Sequence, residues 1–266
     1  MKIPIINILF LCTIGMINAQ NTNQQISSCE MAVQLALNYY NTRVDSQQQK
    51  EIVRNVKSAW YQLLFELNIE KILINYKLFY YDLERVVNLR FQSGDIDLQQ
   101  KNMYLSLLAD LESNLIISNN NVEIIINRIR QLLLSDLIII PADTTLNLYE
   151  IDKPEPVKIN SSLFADQNFE DNSTHIDNKR FYDSLNINIL KLQLENNFVR
   201  LQYAQHYALI NAQEIIKFAT IKLKAEEIDY LTFVNDVKNT LVTQSEYFIA
   251  LNDYNQTAIL LEYEAY

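Results

Sequence analysis

The residues of this chain best placed to do chemistry are five carboxylates in two short phrases. Asp95 and Asp97 stand in Arg90-Phe91-Gln92-Ser93-Gly94-Asp95-Ile96-Asp97; Glu226, Glu227 and Asp229 stand in Lys222-Leu223-Lys224-Ala225-Glu226-Glu227-Ile228-Asp229. Carboxylates grouped this way can attract cations. Placed after a helix end, they can instead accept hydrogen bonds from the free N–H groups of the next helix. The capping reading is the simpler one, since each phrase joins a basic-apolar pair, a small or breaking residue and acidic-Ile-Asp, a pattern suited to the tip of a helical hairpin. Other candidates carry less. His175 lies in a polar loop, and His206 sits on a helical pattern without a second histidine at i±4, so neither has a metal-ligand spacing. No nucleophile–base constellation, phosphate-cradling glycine loop or paired-carboxylate motif is present, so neither an enzyme activity nor a cofactor is expected. Trp60 and the many tyrosines read as packing residues with wet polar ends.

The elements that must position these phrases are long helices. Lys2, the apolar run Ile3 to Ile17, and Asn18-Ala19 form a secretory signal at residues 1–19, with cleavage expected after Ala19. Beyond it Gly94 is the only glycine, and Pro141, Pro154 and Pro156 are the only prolines, so long helices are permitted. Val53, Val56, Trp60, Leu63, Leu64 and Leu67, continuing through Ile72, Tyr76, Tyr80 and Val87, step mostly by three and four. They predict a helix over 46–92, roughly 70 Å long at 1.5 Å per residue. Gly94 ends it, and a return helix over 98–134 is expected to bury Tyr104, Leu107, Leu108, Leu111, Leu115 and Ile116, then Val122 to Leu133. This is hairpin 1, residues 46–135. A second, 180–266, rises from Arg180 to Lys224 and returns from Asp229 to Glu264, with Phe198, Tyr203, Ile210 and Ile215 at helical spacing.

Between them, 136–179 reads as an irregular linker in which Leu137 to Ile140 form a short extended piece. An N-terminal segment, 20–45, holds one short helix over Met31–Tyr40. The expected fold is all-α: two long, antiparallel, coiled-coil-like hairpins from an internal duplication. The mature chain of about 247 residues has net charge −11, the whole-chain −10 having lost Lys2, which argues against a nucleic-acid partner. Cys29 is its single cysteine, so no disulfide forms within one chain. A partly buried free thiol is the plain reading; an intermolecular bridge or a lipid anchor is the alternative. Asn-x-Ser/Thr sequons begin at Asn160, Asn172 and Asn255.

Further residues carry a resemblance. Tyr203-Ala204-Gln205, Asn211-Ala212-Gln213-Glu214-Ile215-Ile216, Glu227-Ile228-Asp229-Tyr230-Leu231 and Tyr247-Phe248-Ile249-Ala250-Leu251-Asn252-Asp253-Tyr254-Asn255-Gln256 form one set. Val56-Lys57-Ser58-Ala59-Trp60-Tyr61-Gln62-Leu63-Leu64 and the phrase at Arg90 form the other. Together they resemble the helical tunnel of TolC-like outer-membrane efflux proteins, of the type that serves heavy-metal RND pumps. The resemblance covers about 48–135 and 180–264. It implies a homotrimer in the outer membrane or periplasm, a periplasmic adaptor and an inner-membrane RND pump as partners, and docking through the tips. Carried over by position, the docking residues are Phe91, Gly94, Asp95, Ile96 and Asp97, with Leu223, Glu226, Glu227, Ile228, Asp229 and Tyr230. In such a trimer the five carboxylates would form rings at a tunnel mouth.

Two departures stand out. Glu226 takes the place of a tip glycine, so the second turn must form without glycine's freedom. The paired strands of ~9–11 residues that build a membrane barrel are missing both between Ala19 and Ser46 and between Pro141 and Arg180. Leu146 to Ile151 alternates only briefly before Pro154. The alternative function is therefore an exported helical-bundle interaction or structural protein without a channel.

Overall fold

The computed structural model describes residues 25–41, 43–151, 174–225 and 227–264, with the side chains of 174–182 left out. The expected signal at 1–19, Pro154, Pro156, the sequons at Asn160 and Asn172, and Glu226 lie outside the described residues. The order is β1 (Gln25–Ile26), α1 (Cys29–Tyr40), α2 (Ser46–Ser93), α3 (Leu98–Leu133), β2 (Ile138–Ile139) and α4 (Thr174–Tyr203). A π-helical turn at Ala204–Ala208 then leads to α5 (Leu209–Lys224) and α6 (Tyr230–Glu264). The chain is all-α.

Local chemistry sets the ends of the first long pair. Asp45 accepts from the Gln48 N–H (2.8 Å) while the Gln48 side chain accepts from the Asp45 N–H (3.2 Å), a capping box that starts α2. Asp97 and Gln100 repeat the device at α3, at 2.7 and 3.0 Å. Between them Gly94 adopts φ 83°, and the Asp95 N–H donates back to the Arg90 carbonyl (2.9 Å). The left-handed residue thus satisfies carbonyls that the helix end leaves free. The end of α3 is built the same way on Leu134, a non-glycine at φ 47°, with the Ser135 N–H donating to Arg130 (3.1 Å).

The four long rods form a layer in the spatial order α3, α2, α6, then α4 with α5; α1 closes the base against α2 and α3. The middle pair is antiparallel, as successive contacts along α2 meet receding positions on α6. Ser58 donates to Gln256 (2.6 Å), the Asn252 amide donates to Gln62 (3.1 Å) and Tyr76 donates to Thr240 (2.9 Å). The α2–α3 pair is antiparallel too, with Tyr81 donating to Glu112 (2.5 Å) and Ser118 to the Glu66 carbonyl (3.5 Å).

Two apolar cores hold the layer. The basal one collects Val56, Trp60, Leu63, Ile129 and Leu251 under α1 and β2; the distal one collects Tyr76, Tyr80, Val87, Tyr104, Phe233 and Val237. Each large side chain taken fully from water contributes roughly 1.5–3 kcal/mol, so the burial of these residues outweighs the weak exposed ion pairs. Glu66 is buried on α2 between the two cores.

Several expectations need correction. α1 begins at Cys29, because Ser28 accepts from the Met31 N–H (3.2 Å). α4 begins at Thr174, inside the expected linker, so His175 lies in a helix and not in a loop, and the second ascending rod is interrupted by the π-helical turn. Ile138–Ile139 pairs in parallel with Gln25–Ile26, a partner the local pattern did not indicate. Ile116, expected in the buried stripe, is 62% exposed, and Tyr203 and Ile210 also face outward.

Candidate functional site at the paired tips

Both acidic phrases come to the same end of the layer, and a backbone bond and a capping bond recur in each. The Glu227 N–H donates to the Lys222 carbonyl (2.9 Å), as the Asp95 N–H does to Arg90. Asp229 accepts from the Thr232 N–H (2.7 Å), as Asp97 does from Gln100. Each corresponding pair of residues is separated by the spacing of the two phrases. Ala225, at the position of Ser93, caps α5 with φ −84°, and Glu226, at the position of Gly94, lies outside the described residues.

The tip residues divide by direction. Ile96 and Tyr230 are buried in the distal core, and Phe91, Leu223 and Ile228 pack against it. Gly94, Asp95, Asp97, Glu227 and Asp229 are exposed. The apolar half of the expected docking set therefore joins the two tips to each other, while the acidic half faces solvent. Asp97 and Asp229 are occupied as caps; the Thr232 N–H holds the Asp229 carboxyl below the usual carboxylate range. Asp95 accepts from the Ser93 hydroxyl (2.8 Å), and the Lys101 ammonium lies 4.6 Å from the Phe91 ring centroid. The Tyr230 hydroxyl is buried without a hydrogen-bond partner among the described residues, and desolvation in this aromatic cluster pushes the phenol's pKa upward.

The base holds a second polar site that sequence reasoning missed. The Lys57 ammonium meets the Tyr149 hydroxyl (2.7 Å) and Glu262 (3.4 Å), and it sits 5.3 and 5.2 Å from the Tyr149 and Tyr263 ring centroids. The Tyr149 hydroxyl also bonds Glu262. A cavity of about 290 Å³ opens here, lined by Cys29, Glu30, Lys57, Tyr61, Tyr149 and Glu262 among others. Burial pushes the Cys29 thiol up to about 12, so it is protonated at neutral pH. Burial disfavours charge on Lys57, but hydrogen bonds to Tyr149 and Tyr263 outweigh that and leave its pKa raised. A protonated thiol and a protonated amine are poor nucleophiles. The cluster's evident work is to hold the segment that carries Tyr149.

That segment is gripped at two further points. Asn255, fully buried, accepts from the Tyr149 N–H (2.7 Å) and donates to the Asn147 carbonyl (2.8 Å), taking the place of a neighbouring strand. Asn68 donates to the Thr144 carbonyl (2.6 Å). Buried and doubly bonded, Asn255 is not presented for glycosylation despite its sequon. No local pattern announces these clamps; a buried asparagine in a helical stripe was their one sign in the sequence.

His206 is exposed in the π-helical turn. Among the described residues no group of three or more His, Cys, Asp or Glu is arranged to hold a metal ion, and no helix is long and apolar enough to cross a membrane. Comparison with protein-family models, with curated proteins and with solved structures finds no match to this chain.

Proposed function

We propose that this chain is a component of a tripartite efflux system, a TolC-like periplasmic tunnel element that assembles as a homotrimer and docks through its tips to an adaptor or RND pump. The observation that carries the reading is the pairing of the two acidic phrases at one end of the layer, with one backbone bond and one capping bond repeated at the same spacing. An internal duplication accounts for that correspondence. The exposed Asp95, Asp97, Glu227 and Asp229 then form the docking face, with Glu226 between them in the sequence, while Phe91, Ile96, Leu223, Ile228 and Tyr230 keep the two tips together. The proposed role is non-enzymatic.

A second reading is favoured by one observation. The segment after β2, where an efflux channel would carry barrel strands, is strapped onto α2 and α6 by Asn68, Asn255 and Glu262. Such a chain is an exported helical-bundle interaction protein that has given up the pore.

Site-specific photocrosslinking from Asp95 and Glu227 in cells separates the two. Adducts with an adaptor or pump at both tips are expected for the efflux component. Adducts only elsewhere, with the protein recovered as a soluble monomer, would sink that reading and leave the second. A pump and adaptor encoded beside this gene would add independent support.

A further inference from the structure

The cavity at the base is out of balance in charge. Glu30, Glu150 and Glu262 line it against one ammonium, Lys57, which leaves a formal charge of −2 around a space of about 290 Å³. Lys57 and Glu262 are mostly withdrawn from solvent and pair with each other at 3.4 Å. Glu30 and Glu150 take part in none of the ion pairs among the described residues. They come from different elements: Glu30 stands in the first turn of α1, Glu150 in the segment after β2 that Asn68 and Asn255 clamp. Burial raises the pKa of the Tyr61 phenol in the cavity wall, and Glu30 and Glu150, both within electrostatic reach of it, raise it further.

The way the base holds Lys57 indicates what else it can hold. That ammonium is kept by a carboxylate, a phenol oxygen and the Tyr149 and Tyr263 rings, 5.3 and 5.2 Å away. Carboxylates accept an ammonium's hydrogen bonds and aromatic rings attract its charge. Glu30, Glu150 and Tyr61, whose ring meets Tyr149 edge-on at 5.2 Å, offer the same groups a second time, and among the described residues no lysine or arginine pairs with either carboxylate. A metal ion fits less well. It needs several oxygens drawn into one tight shell, and no three His, Cys, Asp or Glu among the described residues converge in that way. At about 30 Å³ per water molecule the cavity has room for at most about ten non-hydrogen atoms, so the ligand is small.

We propose that the basal cavity is a binding site for a small aliphatic amine, with a short diamine as the best match to its charge. The ligand's ammonium groups lie against Tyr61 and answer Glu30 and Glu150, while the Lys57–Glu262 pair stays intact beside them. Because the two free carboxylates belong to α1 and to the segment after β2, the bound amine ties that segment to the base at a point separate from the Asn68 and Asn255 clamps. The site rests on neither the efflux reading nor self-assembly.

The test is calorimetric titration of the full chain with 1,4-diaminobutane, n-butylamine and magnesium chloride, at about 150 mM salt so that distant charges are screened. The diamine should bind with a Kd below about 1 mM, at least about threefold tighter than the monoamine or magnesium. Glu30→Gln and Glu150→Gln should each weaken it by about threefold or more. Glu214→Gln, which removes the same charge from an exposed position on α5, should leave it unchanged. At ten times its Kd the diamine should also slow amide exchange at Tyr149 and Ile151 about tenfold. No heat of binding at ~10 mM diamine, magnesium binding as tightly, or an equal loss in Glu214→Gln would overturn the site. Binding that leaves exchange at Tyr149 and Ile151 unmoved would overturn it as well, since the amine would then sit elsewhere on the chain.

Discussion

Replacing Asn255 with alanine should release the strap between the hairpins. Its side chain is fully buried and makes two bonds to backbone, one from the Tyr149 N–H and one to the Asn147 carbonyl. Tyr149 is itself buried, so its N–H would be left without a partner, at about 1–3 kcal/mol. Asn147 is exposed, and water can replace the lost donor there for about 0–1 kcal/mol. The truncation adds a small void, bringing the total to roughly 2–4 kcal/mol. The loss is local, so amide exchange at Tyr149 and Ile151 should accelerate about 30- to 700-fold, and limited proteolysis should cut within 142–151. Asn255→Asp should be at least as damaging at neutral pH, because it sets a buried carboxylate against the Asn147 carbonyl. An unchanged Tyr149 exchange rate in both variants would refute the clamp.

Other perturbations probe the two cores and the tip. Tyr230→Phe removes a buried hydroxyl that lacks a partner, so urea unfolding should show no loss and a gain of up to about 1 kcal/mol; a loss above that would reveal a partner. Burial holds the Glu66 carboxyl above its ordinary range, outweighing hydrogen bonds from Asn121 and Gln62. A raised folded-state pKa gives stability that is full below the unfolded carboxylate range and lost as pH rises through the folded one. Glu66→Gln should therefore compare more favourably with the parent protein at pH 7 than at about pH 4 in urea unfolding; an equal effect at both would remove the titration argument. Gly94→Ala has open space for its methyl but must hold φ 83°, so thermal unfolding should register a loss of about 1–2 kcal/mol. Unchanged stability would mean that the tip relaxes.

The ends of α2 and the start of α3 were legible because their determinants are local. Gly94, Asp97 and the run of residues without proline or glycine act within a turn of where they stand. What the local pattern could not supply was direction. Ile116, Tyr203 and Ile210 obey helical spacing as faithfully as Leu111 or Leu201, yet they face away from the chain's own core. Periodicity reports that a face is apolar, not which rod covers it. The β1–β2 pair and the clamps of Asn68 and Asn255 join residues from 76 to 115 positions apart, a separation at which no periodic signal survives. Leu134 was opaque for a different reason, since a left-handed leucine is specified by the hydrogen bonds around it and not by its own preference.

The unbroken α2 sets how this molecule can move. Its 48 residues reach from the basal to the distal core with neither glycine nor proline between Ser46 and Ser93. At 1.5 Å per residue it is a lever of about 72 Å, and a tilt of about five degrees at the base displaces the tip by about 6 Å. The outer rod is jointed instead, with its wider π-helical turn at Ala204–Ala208. Stiffness is thus distributed unequally across the layer: the inner rod transmits a displacement from one end to the other, and the outer rod absorbs it partway.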